Sequence, residues 1–230
     1  MINIVDITKR FGDNNVLCGI NCSFEKDKVT SIMAPNGSGK TTLLSIISGF
    51  LIPNKGSINF SEKCNPINTS VIFSGEKNLY MKNTVQENIL YFGIIQGMKK
   101  DEILKKVRIY EQYFPFINKV KNKLAESLSY GQKRLLAIFS AIVTNAKCII
   151  IDEVSEGLDM EYVSLVSSML HRAAEDRVII LASHDCDFVS EVSDKILFLG
   201  NGKILKECDK LNLEELKKLY KTIYNLNSED

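Results

Sequence analysis

The sequence has 230 residues, 45% of them hydrophobic and 25% charged, which suits one large domain or one domain with a sub-lobe and excludes disorder along the whole chain. Twenty-nine Lys and Arg against 28 Asp and Glu leave a net charge of +1, excluding the strongly basic signature of a protein held to nucleic acid mainly by charge. Six cysteines (Cys18, Cys22, Cys64, Cys148, Cys186 and Cys208) form no C-x-x-C pair and are accompanied by only His171 and His184, so zinc-ligand spacing is absent.

A chain of this length buries about 70% of its unfolded surface and needs no disulfide staples. Reduced thiols in a cytosolic compartment are expected. Met1–Ile4 reads as strand and not as a signal peptide, and no stretch approaches the roughly 18 apolar residues of a membrane-spanning helix.

In chain order, residues 2–10 read as a strand, Gly12–Asn15 as a turn, and residues near 17–25 as a second strand. The apolar run 29–34 suits a buried strand; the glycine-rich segment after it leads into a helix ended by Gly49 or Pro53. Ser57–Phe60 and Ser70–Ser74 read as further strands. From Thr84, which with Glu87 makes a capping-box pattern, the signal is helical to about 144, with breaks at Gly97 and Pro115. Strands at 148–152 and 178–183 enclose a helix, and strand alternating with helix predicts a mostly parallel sheet. Ile196–Leu199 and Lys203–Leu205 flank a Gly-Asn-Gly hairpin turn. The tail, 211–226, places Leu213, Leu216, Leu219, Tyr220 and Ile223 on one helical face. The lysines at 99–106 and 119–123 read as a solvated face.

The segment Ala34-Pro35-Asn36-Gly37-Ser38-Gly39-Lys40-Thr41-Thr42 follows a strand and opens a helix, the context of a phosphate-binding loop. Gly37 and Gly39 let backbone amides approach phosphate oxygens, and the helix N-terminus adds positive potential. Lys40 is placed to reach the β- and γ-phosphates and Thr41 to put its hydroxyl on Mg²⁺. Ala34 stands where the strict pattern has glycine, which works only if its φ is negative. Residues 148–153, Cys-Ile-Ile-Ile-Asp-Glu, deliver two acids to the C-terminal end of an apolar strand, where α/β sheets place ligands. Asp152 is expected to hold Mg²⁺ and Glu153 to act as general base on the attacking water.

Between these motifs lies Leu128-Ser129-Tyr130-Gly131-Gln132-Lys133-Arg134, in which Ser129 and Gln132 make a second capping-box pattern. The combination resembles the ATP-binding cassette (ABC) ATPases along nearly the whole chain, with LSYGQ for the family's LSGGQ. The resemblance implies an α/β fold: a P-loop NTPase (RecA-like) core with an antiparallel β-lobe over 1–84 and 145–208, an inserted α-helical subdomain over about 85–144, and a C-terminal helix. It implies that Ser129, Gly131 and Gln132 face the γ-phosphate held by a partner chain, and that Asp159 of Glu156-Gly157-Leu158-Asp159 crosses the dimer interface. It also implies that His184 senses the γ-phosphate and that Phe11 stacks on adenine. The glutamine of the family's Q-loop falls on Gly75, with Glu76 adjacent, which touches hydrolysis rate and coupling but not nucleotide binding.

By the same resemblance the chain is an ATP hydrolase using ATP and Mg²⁺. It dimerises, as homo- or heterodimer, and drives a separate transmembrane permease from the inner face of the cell membrane. Leu79–Phe92 resembles cassettes of exporters of multidrug, antibiotic or bacteriocin type. The alternatives are a regulatory or sensing module with slow turnover, and a nucleic-acid-associated ATPase, which the charge disfavours; no nucleic-acid partner is expected.

Overall fold

The computed structural model describes residues 1–61, 65–75 and 78–225. Two sheets organise them. β1 (Ile2–Phe11), β2 (Asn14–Phe24) and β4 (Lys55–Phe60) form an antiparallel sheet in the order β2-β1-β4. The second sheet has the order β5-β6-β7-β3-β8-β9, built from β3 (Val29–Met33), β5 (Thr69–Ile72), β6 (Cys148–Asp152), β7 (Val178–Ser183), β8 (Lys195–Gly200) and β9 (Lys203–Asp209). All its neighbours are parallel except the β8–β9 hairpin.

The central strands read as continuous apolar runs because both faces are covered. Side chains alternate across a strand, so β6 and β7 feed two cores. Ile149, Ile151, Ile179 and Leu181 pack with α5 (Tyr130–Ile142) and α6 (Met160–Ala174). Cys148, Ile150, Val178 and Ile180 pack with α1 (Lys40–Ile47) and the antiparallel sheet.

The helical stretch between β5 and β6 is divided into α2 (Val85–Ile95), α3 (Lys100–Glu111), α4 (Pro115–Val120), a 3₁₀ turn (Ala125–Ser127) and α5. The expected capping box of Thr84 and Glu87 is present at the start of α2. α7 (Cys186–Val192) follows β7. α8 (Leu213–Tyr224) buries Leu216 and lays Leu219, Tyr220 and Ile223 against Met33, Val189, Ile196 and Phe198. Residue 226, the expected end of that helix, lies outside the described residues, as do Cys64 and Glu76. The lysine face has one exception: Lys106 turns inward and donates to the Thr144 carbonyl at 2.8 Å. Among the described residues no helix is long and apolar enough to cross a membrane.

Candidate nucleotide site

β3 ends at Met33 and the chain turns through residues 34–39 into α1. Gly37 and Gly39 have φ of 78° and 98°, the left-handed region that favours glycine. Ala34 is fully buried and keeps a negative φ, so alanine fits where the strict motif has glycine. Gly39 is the N-cap of α1 and supplies no side-chain cap, which leaves the first amides of the helix for a ligand. Ser38 Oγ is buried with no partner. Asn36 is exposed and Thr42 half-buried at the mouth of this loop.

Lys40 is 5% exposed, and its ammonium donates to the carbonyls of Ala34 at 2.8 Å and Pro35 at 3.1 Å. Its third contact is an ion pair with Glu153 Oε1 at 3.1 Å. Thr41 Oγ1 donates to Asp152 Oδ2 at 2.8 Å. Asp152 Oδ1 is buried with no partner. Burial pushes the Asp152 carboxyl above its ordinary value, against the pull of the Thr41 hydroxyl. A buried carboxylate oxygen without a donor, beside a threonine hydroxyl and a loop with free amides, suits a hard divalent cation with oxygen ligands.

Glu153 has φ of 49°, a left-handed conformation outside glycine, anchored by its amide donating to the Ala182 carbonyl at 3.0 Å. From there its carboxylate spans Lys40 on one side and His184 Nδ1, 3.0 Å from Oε2, on the other. A carboxylate can only accept, so Nδ1 carries the proton in this contact.

Direct contacts thus bring together Lys40, Thr41, Asp152, Glu153 and His184. Ser129, Gly131, Gln132 and Asp159 gather instead around Tyr162. Ser129 and Gln132 form the expected capping box of α5. Gln132 Nε2 lies 3.5 Å from Tyr162 Oη, and Asp159 caps α6 by accepting from the Tyr162 amide at 2.9 Å. A Cβ at Gly131 would come within 2.9 Å of the Gly157 carbonyl and 3.0 Å of the Tyr162 ring, so the position admits only glycine. Phe11 ends β1 half exposed, with Lys9 Nζ 5.2 Å from its ring centroid, and so is no core residue.

Sequence reasoning missed two features. The Lys40–Glu153 ion pair joins motifs far apart in the chain. Arg134 reads from the sequence only as part of the signature, yet it lies buried and reaches Gly75; an Arg one helical turn after an aromatic is the available signal.

The family described as ABC transporter matches residues 17–156. The L-cystine import ATP-binding protein TcyC of Bacillus subtilis (strain 168) is 29% identical over 227 residues, covering 90% of each chain. The tungstate uptake system ATP-binding protein TupC of Peptoclostridium acidaminophilum is 28% identical over 206 residues, covering 88% of this chain and 96% of its own. An ATP-binding cassette of an ABC transporter solved in its ADP conformation superposes with a TM-score of 0.83 at 27% identity, covering 100% of this chain and 99% of that one.

Proposed function

The chain belongs to the ABC transporter family as an ATP-binding, ATP-hydrolysing subunit, and from that premise we propose that two such chains close head to tail on two ATP molecules to drive a separate permease. The observation that carries this reading is the gathering at the phosphate loop of Lys40, the Thr41–Asp152 pair and the Glu153–His184 pair.

In this reading the amides of Gly37–Thr42 and the Lys40 ammonium hold the β- and γ-phosphates, and Phe11 carries the adenine on its exposed face. Thr41 and Asp152 hold Mg²⁺, which supplies neutralising charge at the phosphate oxygens. The γ-phosphate takes over Lys40 from Glu153. The released carboxylate then accepts a proton from the attacking water while His184 keeps it oriented. Residues of about 85–144 serve as the helical lobe that presents Ser129, Gly131 and Gln132 to the partner's ATP, and Asp159 lies at the interface between the chains. Binding closes the pair and hydrolysis opens it. The pair is homomeric or heteromeric and sits on the inner face of the membrane through the permease.

Two exposed aromatic pairs support permease docking: Phe50–Phe73, with centroids 5.7 Å apart, and Tyr80–Tyr91, 4.5 Å apart. Within Leu79–Phe92, Leu79, Met81 and Leu90 pack inward, so the exposed aromatic surface there is the two tyrosines. The export reading of this stretch finds no support among the relatives named above, whose names give uptake and import. Gly75 favours a second reading, a slow ATP-gated regulatory module.

The test is Mg-ATP hydrolysis by the purified chain, alone and reconstituted with a multi-helix membrane protein that co-purifies with it from detergent. Stimulation by that protein with ATP-dependent solute movement in vesicles, whose sign gives the direction, supports the transport reading. Turnover that stays slow with the membrane protein present supports the regulatory one. Stimulation by nucleic acid contradicts both.

A further inference from the structure

Besides Ala34, two positions depart from the family pattern, Tyr130 where it has glycine and Gly75 where it has glutamine. They meet at one side chain. Arg134 is 3% exposed and donates from Nη2 to Tyr130 Oη at 2.5 Å and from Nη1 to the Gly75 carbonyl at 2.7 Å. Its guanidinium carbon sits 4.8 Å from the centroid of the Tyr130 ring. The Tyr130 hydroxyl donates in turn to Glu156 Oε2 at 3.3 Å. The ring fills the space over Gly157, where a Cβ would come within 2.4 Å of Tyr130 Cδ1. At the other end Asn78 Nδ2 donates to the carbonyls of Phe73 at 2.6 Å and Gly75 at 3.3 Å.

The polarity of this chain runs one way. A guanidinium only donates; the phenol accepts from it and passes its own proton toward a carboxylate, which only accepts. Charged ends strengthen such bonds, and partial burial lets them polarise one another. Arg134 also keeps its Nε buried with no partner, a cost that an apolar residue filling the same space would avoid. Glycine at 130 would offer neither hydroxyl nor ring. The three segments joined are the loop after β5, the start of α5 beside Ser129, and the loop that runs from Glu153 to Asp159.

We propose that Tyr130 and Arg134 are positioning residues for ATP hydrolysis: the pair ties the Gly75 loop and the Glu156–Asp159 loop to the N-terminal end of α5, so that the three segments move as one body. The link supplies through the Gly75 carbonyl the tether that a glycine cannot supply with a side chain. The catalytic half of the inference rests on the nucleotide-site reading above; the mechanical half does not.

Tyr130→Phe keeps the ring and removes only the hydroxyl. In the nucleotide-free chain, amide exchange is expected to accelerate about 3–10-fold, the worth of one hydrogen bond, both at residues 73–75 and 78–79 and at 155–158. At saturating Mg-ATP, kcat is expected to fall by a similar factor with KM for ATP unchanged and the melting temperature lowered by no more than about 4 °C. Glu156→Ala, which removes the acceptor that a glutamine amide oxygen would keep, should reproduce the loss, and the double variant should lose no more than either single one, because both break the same link. Arg134→Lys, which cannot fork between a carbonyl and a phenol, should behave as Tyr130→Phe does. Unchanged exchange in either loop, an unchanged kcat, or losses that multiply in the double variant would each overturn the proposal. A wild-type chain that binds no ATP would refute the nucleotide-site reading instead, and exchange in the nucleotide-free chain would still decide the link.

Discussion

Replacing Glu153 by glutamine separates turnover from affinity. The carboxylate spans Lys40 Nζ at 3.1 Å and His184 Nδ1 at 3.0 Å, and with side chains only 5% and 21% exposed the Lys40 contact is the one that solvent screens weakly. The amide has the same size and can still accept from Lys40, but it cannot take a proton from water. Loss of a general base costs about 10²–10⁴-fold in turnover. Affinity should move the other way. ATP must break the Lys40–Glu153 contact to place its γ-phosphate on Lys40. Glu153 Oε1 makes an ion pair but no hydrogen bond with Lys40, and a partly exposed ion pair is worth up to about 1 kcal/mol. The variant therefore has up to about 1 kcal/mol less to break, and the Kd for ATP should fall by up to about fivefold. Phosphate release under single-turnover conditions and equilibrium titration measure the two effects. Turnover equal to wild type would remove Glu153 as the base. ATP binding weaker than wild type would refute the competition for Lys40.

Gly75 has φ of 83°, with nothing within 4 Å of an added Cβ, so Gly75→Gln meets open space but a strained backbone costing about 1 kcal/mol. Basal hydrolysis should rise at unchanged ATP affinity while the melting temperature falls about 2–4 °C; a rise with no thermal loss would show that the loop does not depend on the left-handed glycine. Phe11→Ala removes a stacking face worth about 1–3 kcal/mol. ATP affinity should fall about tenfold with kcat and stability held, and unchanged titration curves would take Phe11 out of the site. Burial pushes the Lys106 ammonium down from 10.5 to about 8, so between those values the unfolded chain holds more protons than the folded one and stability rises with pH. Other groups titrate in the same window, so the Lys106 contribution is read as a difference: the denaturant midpoint of wild type should change with pH more positively than that of Lys106→Met, and identical slopes would mean that Lys106 titrates normally.

What was legible in the sequence was local. The turn into α1 needs glycines at two alternate positions, Gly37 and Gly39, before a lysine, and both caps, Thr84–Glu87 and Ser129–Gln132, are four-residue patterns that form as read. The buried strands β6 and β7 were legible because parallel strands covered on both faces leave unbroken apolar runs. What escaped was made by distant segments. The Lys40–Glu153 ion pair depends on β3 and β6 both lying next to β7, a strand order that no local pattern states. The left-handed φ of Glu153 belongs to a residue type that rarely adopts it. Lys106 reads as one more surface lysine until Thr144 comes within reach. Arg134 meets Gly75 across 59 residues of chain, and only the packing of α5 beside the β5 loop brings them together.

The most direct test of the account is equilibrium titration of Mg-ATP into the wild-type chain and Lys40→Ala. Lys40 is buried and turns its ammonium into the loop. Removing the partner of a buried phosphate charge costs about 2–5 kcal/mol, or roughly 30-fold or more in affinity. The account predicts saturable binding by wild type and a loss of at least that size in the variant; equal affinity of the two chains would contradict it.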